Sequence, residues 1–198
     1  MKGGVPDMLY QAIYADPPWI YRDKCHAGKR GVGYKYETMP LADIKALPVG
    51  EIAAKDCVLF LWVTPPMLPV GLEVMKAWGF MYKTKAFNWV KKNSVSGKLS
   101  WGMGNWSRAN SEDCLLGIHG HPKRVSASVH QVVEAPLGAH GAKPPEVRDR
   151  IVQLMGDVPR IELFARERVV GWDAWGKEVA SNRIFPQLAQ EGIEEVLG

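Results

Sequence analysis

Cysteine is scarce in this chain. Cys25, Cys57 and Cys114 are its three, and no C-x-x-C spacing occurs. Neither a zinc framework nor a disulfide scaffold has a basis in that pattern, and three reduced thiols suit a reducing compartment. Long apolar runs are missing as well. Nowhere do about 18 apolar residues follow one another, the least that a membrane-crossing helix needs. The opening residues, Met1-Lys2-Gly3-Gly4-Val5-Pro6-Asp7, lack the apolar centre of a secretion signal. A cytoplasmic protein with no membrane partner is therefore expected. Repeats and low-complexity tracts are absent too. What remains is ordinary globular material: 198 residues, 46% hydrophobic and 23% charged, enough for one compact domain. We read a domain over residues 1–180 and a polar tail over 181–198.

The formal net charge of +4 is mild, but it is unevenly spread. Arg22, Lys24, Lys29, Arg30 and Lys35 stand against Asp23 alone. Lys83, Lys85, Lys91, Lys92, Lys98 and Arg108 fall in a stretch without any acid. Such runs are either solvated faces or phosphate-binding surfaces.

Tyr10–Ala15 reads as a strand that stops at Asp16-Pro17-Pro18, because two prolines cannot continue a ladder. Leu41, Ile44 and Leu47 suggest a short helix. The apolar run Cys57–Val63 reads as a strand buried on both faces. Leu68, Leu72, Met75 and Trp78 give a helical stripe closed by Gly79. Phe80–Val90 is strand-like, and Lys91–Ser107 is polar enough to be a loop. Asp113–Ile118, Gln131–Glu134 and Ile161–Phe164 are short strands. Pro144–Met155 is an amphipathic helix with Val147, Ile151 and Leu154 on its apolar side. Alternating strands and helices imply an α/β sheet with helices on both faces, and ligands in such sheets sit at the carboxyl ends of strands. The two long loops, residues 21–38 and 91–107, are candidates for binding.

Asp16-Pro17-Pro18-Trp19 is the most informative segment. An exocyclic amine on adenine is a poor nucleophile, because its lone pair is delocalised into the ring. A carboxylate (Asp16) and a carbonyl (Pro17) can grip its two N–H bonds and hold the lone pair toward an incoming methyl. Pro18 stiffens the turn, and Trp19 offers a face on which a base could stack. The same four residues also suit a proline-stiffened turn with a core tryptophan. His119-Gly120-His121 lacks a third ligand, so no metal is expected. Gly31-Val32-Gly33 and Gly102-Met103-Gly104 lack the context of a dinucleotide fingerprint. Met67, Met75, Met81 and the apolar tryptophans are read mostly as core.

Several segments occur together in one order: Asp16-Pro17-Pro18-Trp19, Leu59–Val63, Trp89-Val90-Lys91, Asp113–Gly117, Lys143-Pro144 and Ile161–Arg166. Over roughly residues 10–180 this resembles the adenine-N6 methyltransferase family that includes the catalytic subunit of the eukaryotic messenger-RNA adenosine methyltransferase and its bacterial and phage homologues. The resemblance implies a Rossmann-like methyltransferase fold, with the acceptor motif preceding the cofactor motif and S-adenosylmethionine as cofactor. It places Asp16 between cofactor and target amine. It puts Lys143 near the cofactor's carboxylate, and Phe164 and Arg166 along its ribose and adenine. Tyr36 matches an aromatic in the loop that closes over the target. Gly171–Val179 resembles the family's closing segment, with Lys177 where an asparagine is usual and Glu178 beside it. Arg168 stands where relatives carry a histidine. The acidic residue that often lies one strand upstream of the acceptor motif has no counterpart here.

The expected reaction is methylation of adenine N6 in nucleic acid, the base being drawn from its stack beside Trp19. Lys29, Arg30, Lys91, Lys92, Lys98 and Arg108 are expected to meet phosphates. DNA is the favoured acceptor; an RNA acceptor and a silent binding subunit of the same fold are the alternatives. A homodimer or a related subunit is a further expected partner.

Overall fold

In the computed structural model, residues 9–20, 38–102, 104, 106–138 and 142–180 are described. They form seven strands: β1 (Tyr10–Ala15), β2 (Ala53–Val63), β3 (Met81–Lys92), β4 (Ser111–His119), β5 (Val132–Pro136), β6 (Arg160–Leu163) and β7 (Asp173–Trp175). Three α-helices accompany them: α1 (Leu41–Ala46), α2 (Leu68–Ala77) and α3 (Glu146–Met155). Short 3-10 turns cover Val49–Ile52 and Pro65–Met67.

The strands join in the order β5-β3-β4-β2-β1-β6-β7. β1 pairs in parallel with β2 and β6, β6 with β7, and β3 with β5, while β4 runs antiparallel to both β2 and β3. Six strands therefore end at one edge of the sheet, and β4 begins there.

Side-chain alternation assigns each residue of the central strands to a face. Ile13, Ala15, Leu59, Leu61 and Val63 pack with Ile44 of α1 and Val74 and Met75 of α2. Ala12, Tyr14, Val58, Phe60 and Trp62 pack with Val147, Ile151 and Met155 of α3. Both faces are covered, as expected of an α/β sheet, and this is why β2 reads as an unbroken apolar run.

The stripe expected on α2 is partly corrected. Leu68 and Leu72 are exposed, whereas Gly71, Val74, Met75 and Trp78 are buried. That set has the i, i+3, i+4, i+7 spacing of a core-facing helix. A side chain at Gly71 would meet Val63 Cγ1 at 2.3 Å, so the helix lies on the sheet through its glycine. Hydrophobicity alone cannot register such a position. Two further differences are small. β3 runs on to Lys92, beyond the expected Val90, and β7 is a strand that the sequence reading did not contain.

Candidate active site

The Asp16-Pro17-Pro18-Trp19 turn is set at the carboxyl end of β1, which lies between β2 and β6 in the sheet. β1, β6 and β7 end flush, because Ala15 pairs with Leu163 and Leu163 with Trp175. Asp16, Phe164 and Gly176 therefore follow one another across the edge.

The turn itself is pinned by hydrogen bonds. Trp19 N donates to Pro17 O at 2.9 Å, and Met39 N donates to Pro18 O at 3.0 Å. The indole Nε1 of Trp19 donates to Trp62 O at 3.1 Å. Trp19 is only 5% exposed and belongs to the core beside α1. This corrects the stacking role expected of it: a ring enclosed on both faces has none to offer a base. Trp19 anchors the turn instead, which is the second reading its sequence context allowed. The Pro17 carbonyl, expected to be a free acceptor, already receives one N–H. An amide oxygen has two lone pairs, so one remains.

Lys143, expected beside a cofactor carboxylate, reaches Asp16. Its Nζ lies 2.6 Å from Asp16 Oδ2, with side chains 13% and 22% exposed respectively. The same ammonium is 3.4 Å from Glu112 Oε2 and 5.5 Å from the Trp62 ring centroid. Lys91 binds the other oxygen of Glu112 at 3.0 Å. The site is thus an alternating chain of charges, Asp16, Lys143, Glu112 and Lys91, set over the indole of Trp62.

Burial pushes the Asp16 carboxyl above the usual aspartate value, with the Lys143 ammonium opposing it; the charge of Arg166 also helps to hold the ionised form. Burial works against the charge of Lys143, but the two carboxylates outweigh it and hold its pKa above that of a free lysine.

Glu112 was missed in the sequence. Its buried Oε2 has the Lys143 ammonium at 3.4 Å as its counter-charge but forms no well-aligned hydrogen bond, so it keeps acceptor capacity. The available signal was an acid two residues before Cys114, and so on the same face of a strand whose other residues there are apolar.

Phe164 supplies the other notable feature. Its φ of 60° makes it the one non-glycine residue in the left-handed region among those described. Such conformations cost on the order of 1–3 kcal/mol and persist where the surroundings enforce them. Here the ring meets Trp175 edge-on at 5.3 Å, and Ala165 N donates to Trp175 O at 2.9 Å. The chain thereby turns immediately after β6. α3 is held to β6 by Arg148, whose Nε and Nη2 bind the two oxygens of Glu162 at 2.7 and 3.1 Å. That clamp fixes the helix following Lys143 against the strand leading to Phe164.

The remaining expected residues separate into groups. Arg166, Arg168, Lys177 and Glu178 lie on exposed segments after β6 and β7, and Arg168 Nη1 donates to Ala180 O at 3.1 Å. Lys29, Arg30 and Tyr36 lie outside the described residues. Lys91 and Lys92 are corrected from loop to strand, and both are ion-paired, Lys92 with Glu134 at 2.7 Å. Lys85 likewise meets Asp113 at 2.8 Å. The acid-free stretch is thus partly neutralised across the sheet by β4 and β5. Lys83, Lys98 and Arg108 remain without an ion pair among the described residues.

The buried thiols are poor nucleophiles. Burial pushes Cys57 up to about 12 and Cys114 well above the usual thiol range. Among the described residues, no group of three His, Cys, Asp or Glu side chains is placed to hold a metal ion. No helix there is long and apolar enough to cross a membrane.

Comparison with known proteins bears on this geometry. Residues 10–178 match the MT-A70 family. The type II methyltransferase M.MunI of Mycoplasma sp is 34% identical, the match covering 91% of this chain and 82% of that protein. The N(6)-adenosine-methyltransferase MT-A70-like protein of Drosophila melanogaster is 28% identical over 90% of this chain. The human N(6)-adenosine-methyltransferase catalytic subunit METTL3 is 27% identical over 86% of it. The chain spans only 28% of the length of each of these two. A match that runs from the strand carrying Asp16 through Glu178 takes in the turn after β1, the charge chain and the turn after β6 together, and the chain belongs to the MT-A70 family.

Proposed function

We propose that this chain is an S-adenosylmethionine-dependent methyltransferase of the adenine N6 amine in nucleic acid, with DNA its acceptor. The observation that carries the reading is the Asp16 carboxylate, held at the end of β1 by Lys143 at 2.6 Å, with Glu112 Oε2 3.4 Å from the same ammonium. The residues at this edge fit the cofactor chemically. Lys143 suits its carboxylate, the acids suit its amino group and cationic sulfur, Arg166 suits its ribose oxygens, and the Phe164–Trp175 pair suits its flat adenine. Arg168, Lys177 and Glu178 follow on the adjoining segments. When bound, S-adenosylmethionine supplies an electrophilic methyl group.

The chain's own residues position the amine. Asp16 Oδ1, which carries no hydrogen bond among the described residues, accepts one N–H. The spare lone pair of Pro17 O, or Glu112 Oε2, accepts the other. Gripping both N–H bonds turns the nitrogen lone pair out of conjugation, and the fixed carboxylates stabilise the positive charge that develops there. Lys143 favours the ionised form of Asp16 and holds it in place.

The preference for DNA leans on M.MunI, of which the chain spans far more than it does of the adenosine methyltransferases. We assign methyl transfer to residues 1–180, treat 181–198 as a tail, and expect a cytoplasmic enzyme that needs no metal and pairs with itself or a related subunit.

The test is incubation with the cofactor and with DNA or RNA in parallel, followed by nucleoside mass spectrometry. N6-methyladenine is expected in the DNA arm and is lost on Asp16→Ala with the fold intact by circular dichroism. Full activity in that variant overturns the role of Asp16, and product in the RNA arm alone overturns the choice of acceptor.

A further inference from the structure

The segment between β3 and β4 leaves the sheet at the edge that carries Asp16. It is a built ribbon. Lys92 bridges to Leu99, Ser100 N donates to Lys91 O at 2.7 Å, and Lys91 N donates to Asn110 O at 2.8 Å. Asn93 Oδ1 accepts from Val95 N and Ser96 N at 3.0 and 2.8 Å. Farther out, a Cβ at Gly102 would fall 1.6 Å from Ala109 O, and one at Gly104 would fall 1.9 Å from Ser107 O. Only glycine lets the two arms lie this close.

On that ribbon stand two tryptophans turned to solvent. Trp101 is 79% exposed and Trp106 fully so. Arg108 lies 5.8 Å from the Trp101 ring centroid. The rim is cationic: Lys98 and Arg108 have no ion pair among the described residues, and residues 83–110 contain no acid. An apolar protein partner would be served by rings with a neutral rim. Large π-faces set among unopposed cations suit a polyanion that carries aromatic bases.

We infer that Trp101 and Trp106 form a stacking platform for unpaired bases beside the target adenine, with Lys98 and Arg108 on the adjoining phosphates. This rests on the proposed nucleic-acid substrate. Removing a base from its stack leaves its neighbours without a partner face, and the ribbon projects from the edge where that removal would take place.

The experiment uses the full chain and two labelled single-stranded DNA oligonucleotides of equal length, one with all its bases and one abasic. Trp101→Ala/Trp106→Ala should weaken binding of the base-bearing strand about tenfold or more and leave the abasic strand unchanged. Trp101→Phe/Trp106→Phe should restore most of the loss. Lys98→Ala/Arg108→Ala should weaken both strands and flatten the salt dependence. Wild-type affinity in the double alanine variant overturns the platform, as does an equal loss on both strands. A change in sedimentation of the protein alone, with oligonucleotide binding intact, overturns it in favour of a contact between copies. Because the readout is binding, it stands apart from methyl transfer. An inactive protein that shows the expected strand difference would sink only the catalytic reading.

Discussion

Two regions of this molecule use tryptophan in opposite ways. In the sheet and its helices, Trp19, Trp62, Trp78 and Trp89 are enclosed, and each indole N–H has an acceptor: Trp62 O, Tyr14 Oη, Ile44 O and Ala135 O. On the ribbon, Trp101 and Trp106 are left in water. A buried indole needs both apolar surroundings and a carbonyl or hydroxyl within reach. The core provides both, and its tryptophans become anchors: Trp19 for the turn after β1, Trp78 for α1 and Trp89 for β5. The ribbon is too thin to enclose anything, so its rings remain available for a partner. The type of residue is therefore no guide to its role here; the presence or absence of a second layer is.

The contrast can be tested in order of expected effect. The largest effect should come from the anchored region through Asp16. Asp16→Asn should lower methyl transfer by about 10²- to 10³-fold, the usual cost of losing one preorganised electrostatic contact, in a steady-state assay with DNA. A fall of less than tenfold would place the reaction elsewhere.

Next comes stability. Trp19→Ala should cost about 3–5 kcal/mol in urea unfolding, whereas Trp106→Ala should stay within about 0.5 kcal/mol of wild type. Equal costs would erase the distinction between anchor and platform.

The pH dependence follows from the charge chain. The ionised Asp16 is the form that stabilises positive charge developing on the amine, and burial raises its pKa above the ordinary 3.8. Activity should therefore fall as pH drops through that raised value. Lys143→Met removes the opposing cation and should move this acidic limb to still higher pH in a kcat/KM profile; an unmoved limb would break the proposed coupling. The stability sign is fixed as well. A carboxyl whose folded pKa is raised favours the fold when protonated, below its unfolded value. That contribution disappears as pH rises through the folded value.

The smallest effect should be at Lys92, whose partner Glu134 is largely exposed. Lys92→Ala should change stability by less than about 1 kcal/mol and barely alter DNA binding, while Lys98→Ala should reduce the salt dependence of binding. The two lysines are only six positions apart in sequence, and the comparison asks whether ion pairing across the sheet separates them.

Much of the fold was legible in the residues. The prolines ended β1 where they had to, and the apolar run of β2 announced a strand covered on both sides. The spacing of Val147 and Ile151 gave α3 its buried face. Asp16-Pro17-Pro18-Trp19 and Lys143 pointed to the edge where Lys143 meets Asp16. The parts that stayed hidden share a cause. Gly71 carries no hydrophobic signal, yet it is where α2 meets the sheet. Trp19 could have faced a base or the core, and packing against α1 decided. The acids facing Lys85, Lys91 and Lys92 come from β4 and β5, tens of residues away, and no reading of a local run could show them.

By itself, the sequence determined the class of the fold, the turn that ends β1 and the family, because these depend on local chain geometry and on the kinds of side chain in a fixed order. Only the tertiary structure decided that Lys143 holds Asp16, that Glu112 joins them, and which cations and indoles stay open to a partner. Those are pairings between residues remote along the chain. Their energies depend on distance and on exclusion of water, and neither exists until the sheet has closed them in.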